Sequence, residues 1–117
     1  MFSVEHLQAG LNTEFLGREV KYQERTHSTN DDAWECVQNN DSEGTVFLAE
    51  YQTQGRGRRQ SKWDSKRDKS LIFSFLLFPE ISLKKLEILP LLTGVSIIKG
   101  IHTISNILLG LKWPNDI

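Results

Sequence analysis

A single cysteine, Cys36, occurs in the 117 residues, so no internal disulfide framework can form. It also completes no zinc-ligand spacing, and both absences point to a reducing, intracellular setting. A small buried apolar residue on a helix is the expectation for Cys36. A leader is missing as well: Met1, Phe2, Ser3, Val4, Glu5 and His6 contain no basic region followed by an apolar one. No continuous apolar run approaches the roughly 20 residues that span a bilayer. A cytoplasmic protein without a membrane partner is therefore expected. Internal repeats and low-complexity tracts are also absent. At 13.5 kDa the chain has room for one domain, since independent cores usually need about 100 residues each. With 38% hydrophobic and 25% charged residues, it reads as neither a disordered tail nor a membrane protein.

Net charge is −1, which by itself favours no polyanionic partner. The distribution is far from even. Residues 1–50 carry three basic and ten acidic side chains, whereas residues 56–69 carry seven basic and two acidic. Positive charge is thus gathered in one short segment.

Residues 1–18 are weakly patterned and read as a leading helix or arm. Val20 and Tyr22 alternate with Lys21 and Gln23, as in a half-buried strand over 19–24. Ser28-Thr29-Asn30-Asp31-Asp32 then supplies capping residues and early acidic charge for a helix to about Asn39. A turn cluster, Asn39-Asn40-Asp41-Ser42-Glu43-Gly44, precedes a strand over 45–51 rich in β-branched and aromatic residues. Residues 52–70 read as a long polar loop, uncommon in a compact domain unless functional. The apolar run Leu71–Phe78, ended by Pro79, suits a central strand buried on both faces. Helical spacing over 83–104, opened by Pro90, turns Leu91, Leu92, Val95, Ile98 and Ile101 inward. A short strand over 108–113 ends at Pro114. This order predicts an α+β domain in which helices pack on a mixed sheet.

Three segments carry residues suited to chemistry. Gln54-Gly55-Arg56-Gly57-Arg58-Arg59-Gln60 follows a strand. Its alternate glycines permit close backbone approach, and its guanidiniums offer paired donors to phosphate or carboxylate oxygens. It is neither a Walker loop nor a dinucleotide fingerprint. A nucleotide-phosphate site, nucleic-acid contact and a merely solvated basic loop all remain open from these residues. In Lys112-Trp113-Pro114-Asn115-Asp116, the last two oxygens sit just past a strand end. They suit Mg²⁺, a ribose, or simply a turn. Ser28-Thr29-Asn30 either caps a helix or presents donors to a small polar ligand. His6, His27 and His102 are scattered and receive no role.

Taken in order, Ser28-Thr29-Asn30, Glu50-Tyr51-Gln52 running into Gly55-Arg56-Gly57-Arg58-Arg59, Lys62-Trp63 and Lys112-Trp113-Pro114-Asn115-Asp116 closely resemble the catalytic domain of biotin protein ligases. The likeness covers roughly residues 15–117, and the last element helps separate this family from lipoate ligases. It implies the biotin–lipoate ligase catalytic fold, which is similar to that of class II aminoacyl-tRNA synthetases. The implied activity has two steps. Biotin attacks the α-phosphorus of ATP to give biotinyl-5′-AMP and pyrophosphate, and a lysine of a carboxylase's biotin carrier domain then accepts the biotinyl group. ATP with Mg²⁺ and biotin are thus the implied substrates.

The resemblance also implies residue roles. Ser28, Thr29, Asn30 and Gln52 would meet the biotin ring system, and Arg56, Gly57 and Arg58 its carboxylate and the adenylate phosphate. Gly55, Arg58, Arg59, Trp63, Lys112, Asn115 and Asp116 would serve the adenylate, with Trp63 against adenine and Asp116 a candidate Mg²⁺ ligand. Gln60 stands where the family usually has glycine, which restricts closure of the arginine loop. That loop is expected to be mobile without ligand and to shield the mixed anhydride from water when closed. The family's essential lysine falls beyond Ile117, and no DNA-binding helix-turn-helix precedes residue 1. A fragment is therefore expected, adenylating biotin poorly alone and self-associating, as a homodimer for instance, through an uncovered sheet edge. Two other functions fit part of the pattern: a lipoate-type ligase, and a nucleic-acid-binding module using the basic loop 56–69.

Overall fold

The computed structural model describes residues 2–39 and 42–117, so Asn40 and Asp41 of the turn cluster lie outside the described residues. The chain divides into two compact units, Met1–Phe78 and Pro79–Ile117. In the first, the leading segment forms helix α1 (Val4–Gly10), capped by Ser3, whose hydroxyl accepts from the His6 N–H at 3.1 Å. Strand β1 (Val20–Thr26) leads through helix α2 (Thr29–Gln38) to strand β2 (Val46–Gln52), which pairs with β1 in parallel from Val20↔Val46 to Thr26↔Gln52. A hairpin of two short strands, β3 (Gly55–Arg56) and β4 (Lys62–Trp63), follows. Strand β5 (Ile72–Phe75) then adds antiparallel to the far side of β2, giving the order β1-β2-β5. The expected α+β layout with a mixed sheet is what forms.

β2 is the central strand and is covered on both faces. Phe47, Leu48 and Ala49 are all buried. Under α2, Phe47 packs with Ala33 and Leu76, and Cys36 and Val37 lean on the same cluster. Cys36 is half-buried, and the Lys21 ammonium donates to its Sγ at 3.4 Å. On the opposite face an apolar cleft of about 270 Å³ is lined by residues including Leu7, Leu11 and Leu48. Between β1 and β2, the Tyr22 hydroxyl donates to Glu50 Oε1 at 2.5 Å, and that bond raises the phenol to about 12.

Four sequence expectations change. Within the 71–78 run, Ile72–Phe75 forms an edge strand of this sheet among the described residues: Ile72 and Leu76 are buried, but Leu71 and Phe73 are exposed, because their face borders an open apolar cleft. Residues 52–70 are not a featureless loop, since the β3–β4 hairpin lies within them. Residues 108–113 form no strand. A strand needs a partner along its length, and the one pairing here is an isolated Lys112↔Asp116 bridge. In the second unit, helix α3 (Leu83–Leu86) and helix α4 (Leu89–Ser105, with Pro90 in its first turn) cover the expected helical stretch. Leu91, Ile98 and Ile101 are half-buried as expected, but Leu92 and Val95 are exposed.

Residues 83–105 also qualify what the sequence excluded. Their mean hydropathy of 1.4 over an 18-residue window and 23-residue length would suffice to cross a bilayer by composition alone. The continuous-run criterion misses this because Pro90 and the charges at Lys84, Lys85, Glu87 and Lys99 interrupt the apolar residues. Asn106 stops α4 in the left-handed conformation, its N–H donating to the His102 carbonyl at 3.0 Å.

Two outcomes follow from this packing. Phe47→Ala should cost about 3–5 kcal/mol in chemical denaturation, since it empties the contact between sheet and helix. For Tyr22 the folded value lies above the ordinary one of 10.0, so its contribution is intact below pH 10 and is lost as pH rises through about 12. Ultraviolet titration should show a late-ionising phenol that disappears in Tyr22→Phe.

Candidate functional site

β1 and β2 end together at Thr26 and Gln52, and α2 begins three residues beyond Thr26. Ligands of open sheets commonly bind past the carboxyl ends of parallel strands. Here that place is polar. Ser28 occupies the N-cap position in extended conformation, yet its hydroxyl makes no capping bond. Of the two roles the sequence leaves open for this triplet, a cap or ligand donors, the capping is done instead from strand β2: Gln52 Oε1 accepts from the Thr29 N–H at 2.8 Å and from the Thr29 hydroxyl at 3.1 Å. With its oxygen so committed, Gln52 is left with the donors of Nε2, which lies beside Gly55.

The network extends to β5. Thr29 Oγ1 and Ser74 Oγ lie 2.9 Å apart, and Ser74 donates to Asn30 Oδ1 at 3.0 Å. The Asn30 and Gln52 amide N–H₂ groups have no partner among the described residues. Ser28 and Thr29 are buried, Gln52 and Ser74 half-buried and Asn30 exposed, so this polar corner opens to solvent at Asn30. Such a corner matches a small ligand carrying its own donors and acceptors.

Beside the corner stands the arginine-glycine hairpin. Gln54 N–H donates to the His27 carbonyl at 2.9 Å, and Gln52 N–H to Ser65 Oγ at 2.9 Å, which anchors both ends of the segment. Gly55 has no room for a side chain: a Cβ would lie 2.6 Å from the Trp63 carbonyl and 2.8 Å from Gln52 Nε2. At Gly57 it would meet Ser61 Oγ at 2.4 Å, where the Gly57 N–H donates to the Ser61 carbonyl at 2.7 Å. The chain itself therefore makes the close approach that the sequence reading reserved for a ligand. Arg59 and Gln60 both take positive φ, +54° and +63°.

Among the hairpin's cations, Arg56 is engaged. Its guanidinium donates with both terminal nitrogens to the Asp31 carboxylate, through Nη1 to Oδ2 at 2.9 Å and through Nη2 to Oδ1. That bond holds Asp31 below its ordinary 3.8, with His27 a lesser contributor, and holds Arg56 above its own ordinary value. Arg58, Arg59 and Lys62 are exposed and have no side-chain partner among the described residues. Trp63, 56% exposed, lines an open cleft of about 380 Å³ together with Gly55, Arg56 and Lys62.

The structure therefore brings Ser28, Thr29, Asn30 and Gln52 to one corner and sets Gly55, Arg56, Gly57, Arg58, Arg59 and Trp63 on the adjoining hairpin. Lys112, Asn115 and Asp116 belong to the second unit. There the segment is a tight turn, closed by Lys112 N–H to Asp116 carbonyl at 2.7 Å and the reciprocal bond at 3.0 Å. No three His, Cys, Asp or Glu side chains converge on a metal position among the described residues. Two members were missed. Ser74 is the one polar residue inside the Leu71–Phe78 run, a visible signal read only as strand. Asp31 was read as helix-terminal charge alone.

Comparison with known proteins identifies the family. Residues 22–117 match the biotin/lipoate A/B protein ligase family. The "Bifunctional ligase/repressor BirA" of Bacillus spizizenii is 39% identical over 115 residues, which cover 98% of this chain and 35% of that protein. A biotin–protein ligase of Schizosaccharomyces pombe is 35% identical over 83 residues, covering 63% of this chain and 13% of its own. Among solved structures, the biotin protein ligase of Aquifex aeolicus in complex with biotin and ATP superposes with a TM-score of 0.70 at 37% identity, over 84% of this chain and 40% of that one. The biotin acetyl coenzyme A carboxylase synthetase of Helicobacter pylori with bound biotinylated ATP gives 0.61 at 25% identity, over 82% and 46%. The chain thus spans about a third of the length of this Bacillus relative.

Gln60 offers a direct check on the hairpin geometry. Gln60→Gly should remove about 1–2 kcal/mol of left-handed strain, offset by about 0.5–1 kcal/mol of added unfolded-chain entropy. Its denaturation midpoint should rise slightly and that of Gln60→Val should fall. The reverse order would contradict the positive φ.

Proposed function

The chain belongs to the biotin/lipoate A/B protein ligase family, and from that premise we propose that it supplies the biotin- and adenylate-binding portion of a biotin–protein ligase. In the first step the biotin carboxylate attacks the α-phosphorus of ATP, forming biotinyl-5′-AMP as pyrophosphate leaves. In the second, the lysine amine of a carboxylase's biotin carrier domain attacks the acyl carbon, AMP leaves, and an amide forms. Both steps concentrate negative charge on phosphate and carboxylate oxygens, so positioned donors and cations lower their barriers.

The corner is the observation that carries this reading. A cyclic urea needs donors for its carbonyl and acceptors for its two N–H groups. The N–H₂ groups of Gln52 and Asn30 provide the donors, and the hydroxyls of Ser28 and Thr29 provide acceptors. Arg58 then meets the carboxylate and the α-phosphate, and Trp63 offers its exposed ring to adenine. Gly55 and Arg59 shape and charge the same hairpin. ATP would bring Mg²⁺ with it, and a nucleotide role for Lys112, Asn115 and Asp116 is what the family resemblance implies. The cytoplasm is the compartment where such a carboxylase domain would be met.

A lipoate-type ligase would bind a dithiolane, which has no donors or acceptors to match this corner. A nucleic-acid module would use exposed cations such as Arg58, Arg59 and Lys62 on phosphates and would leave the polar corner without a role.

Calorimetry on the purified chain with biotin, lipoate and a short oligonucleotide separates these functions. Biotin should bind, and Gln52→Ala should weaken it at least about tenfold, consistent with about 1–3 kcal/mol for an unpaired buried group. Binding of lipoate in preference to biotin, or oligonucleotide binding that falls steeply with salt, would reject the proposal.

A further inference from the structure

We propose that Asp31 is a positioning residue, a clasp that fixes the arginine-glycine hairpin against the ligand corner and leaves charge neutralisation to Arg58. This rests on the reading of the corner as a biotin site. Asp31 lies in the first turn of α2, directly after Asn30, and Arg56 follows Gly55, whose backbone abuts Gln52 Nε2. The two-pronged Arg56–Asp31 contact therefore ties together the two chain segments that frame the corner, which are 25 residues apart in sequence.

The geometry suits a strap better than a ligand contact. Both terminal nitrogens of Arg56 point to Asp31, and a forked guanidinium–carboxylate pair fixes orientation as well as distance. The pair is also internally neutral, so Arg56 brings little net charge to an incoming anion, whereas Arg58, two residues on, has no partner among the described residues. At 53% and 48% exposure the contact is screened by solvent, so its loss should loosen the hairpin without unfolding the protein. The opposite mechanism, in which Asp31 competes with the ligand for Arg56, predicts the opposite sign when the carboxylate is removed.

The test compares wild type, Asp31→Asn, Asp31→Glu and the charge-exchanged pair Asp31→Arg with Arg56→Asp in two measurements on the purified chain. Without ligand, amide hydrogen exchange at Gly57, whose N–H is bonded across the hairpin, should quicken severalfold in Asp31→Asn and return toward wild type in the exchanged pair. With biotin, affinity should fall about twofold to fivefold in Asp31→Asn, the range expected of a solvent-exposed forked pair, and recover in Asp31→Glu. Unchanged Gly57 exchange, or biotin affinity that stays equal or tightens in Asp31→Asn, would overturn the clasp. Failure of wild type to bind biotin would instead overturn the ligase reading, and the exchange comparison would still decide the clasp.

Discussion

Gln52 caps a helix from a strand 23 residues away in sequence, and the site is arranged around that bond. The Thr29 N–H is buried at the start of α2, where no intrahelical acceptor exists for it. Ser28 stands in the capping position but leaves its hydroxyl unused for the purpose. By taking the cap itself, Gln52 fixes the end of β2 to the start of α2 and leaves the Ser28 hydroxyl out of the cap. Parallel pairing of β1 and β2 makes this possible, since Thr26 and Gln52 are opposite one another and the helix must begin just beyond them.

The hairpin depends on the same residue from its other side. Gly55 is held so close to Gln52 Nε2 and to the Trp63 carbonyl that no β-carbon fits, so the hairpin's first strand is seated on the cap. The Gly-Arg-Gly-Arg-Arg segment is therefore a folded hairpin with defined hydrogen bonds, in which one guanidinium is committed to Asp31 and the next is open to solvent. An acyl-adenylate presents its carbonyl and phosphate next to each other. A polar corner for the acyl group's ring and an adjacent cationic hairpin for the phosphate match that layout.

Much of this was legible in the residues. The β1-α2-β2 order followed from the alternation at Val20 and Tyr22, the capping cluster at Ser28, and the β-branched run after Gly44. The grouping of Ser28, Thr29, Asn30 and Gln52 followed from the family resemblance. What escaped was tertiary. A cap donated by a distant glutamine leaves no local signature, and neither does an arginine that answers an aspartate on another element. Leu71–Phe78 looked buried on both faces because hydrophobicity alone does not say what covers each face of a strand. Leu108–Trp113 looked like a strand for a related reason, since β-propensity does not supply a partner.

The central claim is that the corner framed by α2, β2 and β5 is the ligand site, and amide chemical-shift mapping on isotopically labelled chain titrated with biotin tests it most directly. The account predicts the largest shifts at Thr29, Asn30, Gln52 and Ser74, with smaller ones at Gly55 and Gly57. Shifts confined to the apolar cleft lined by Leu7, Leu11 and Leu48, or absent altogether at saturating biotin, would contradict it.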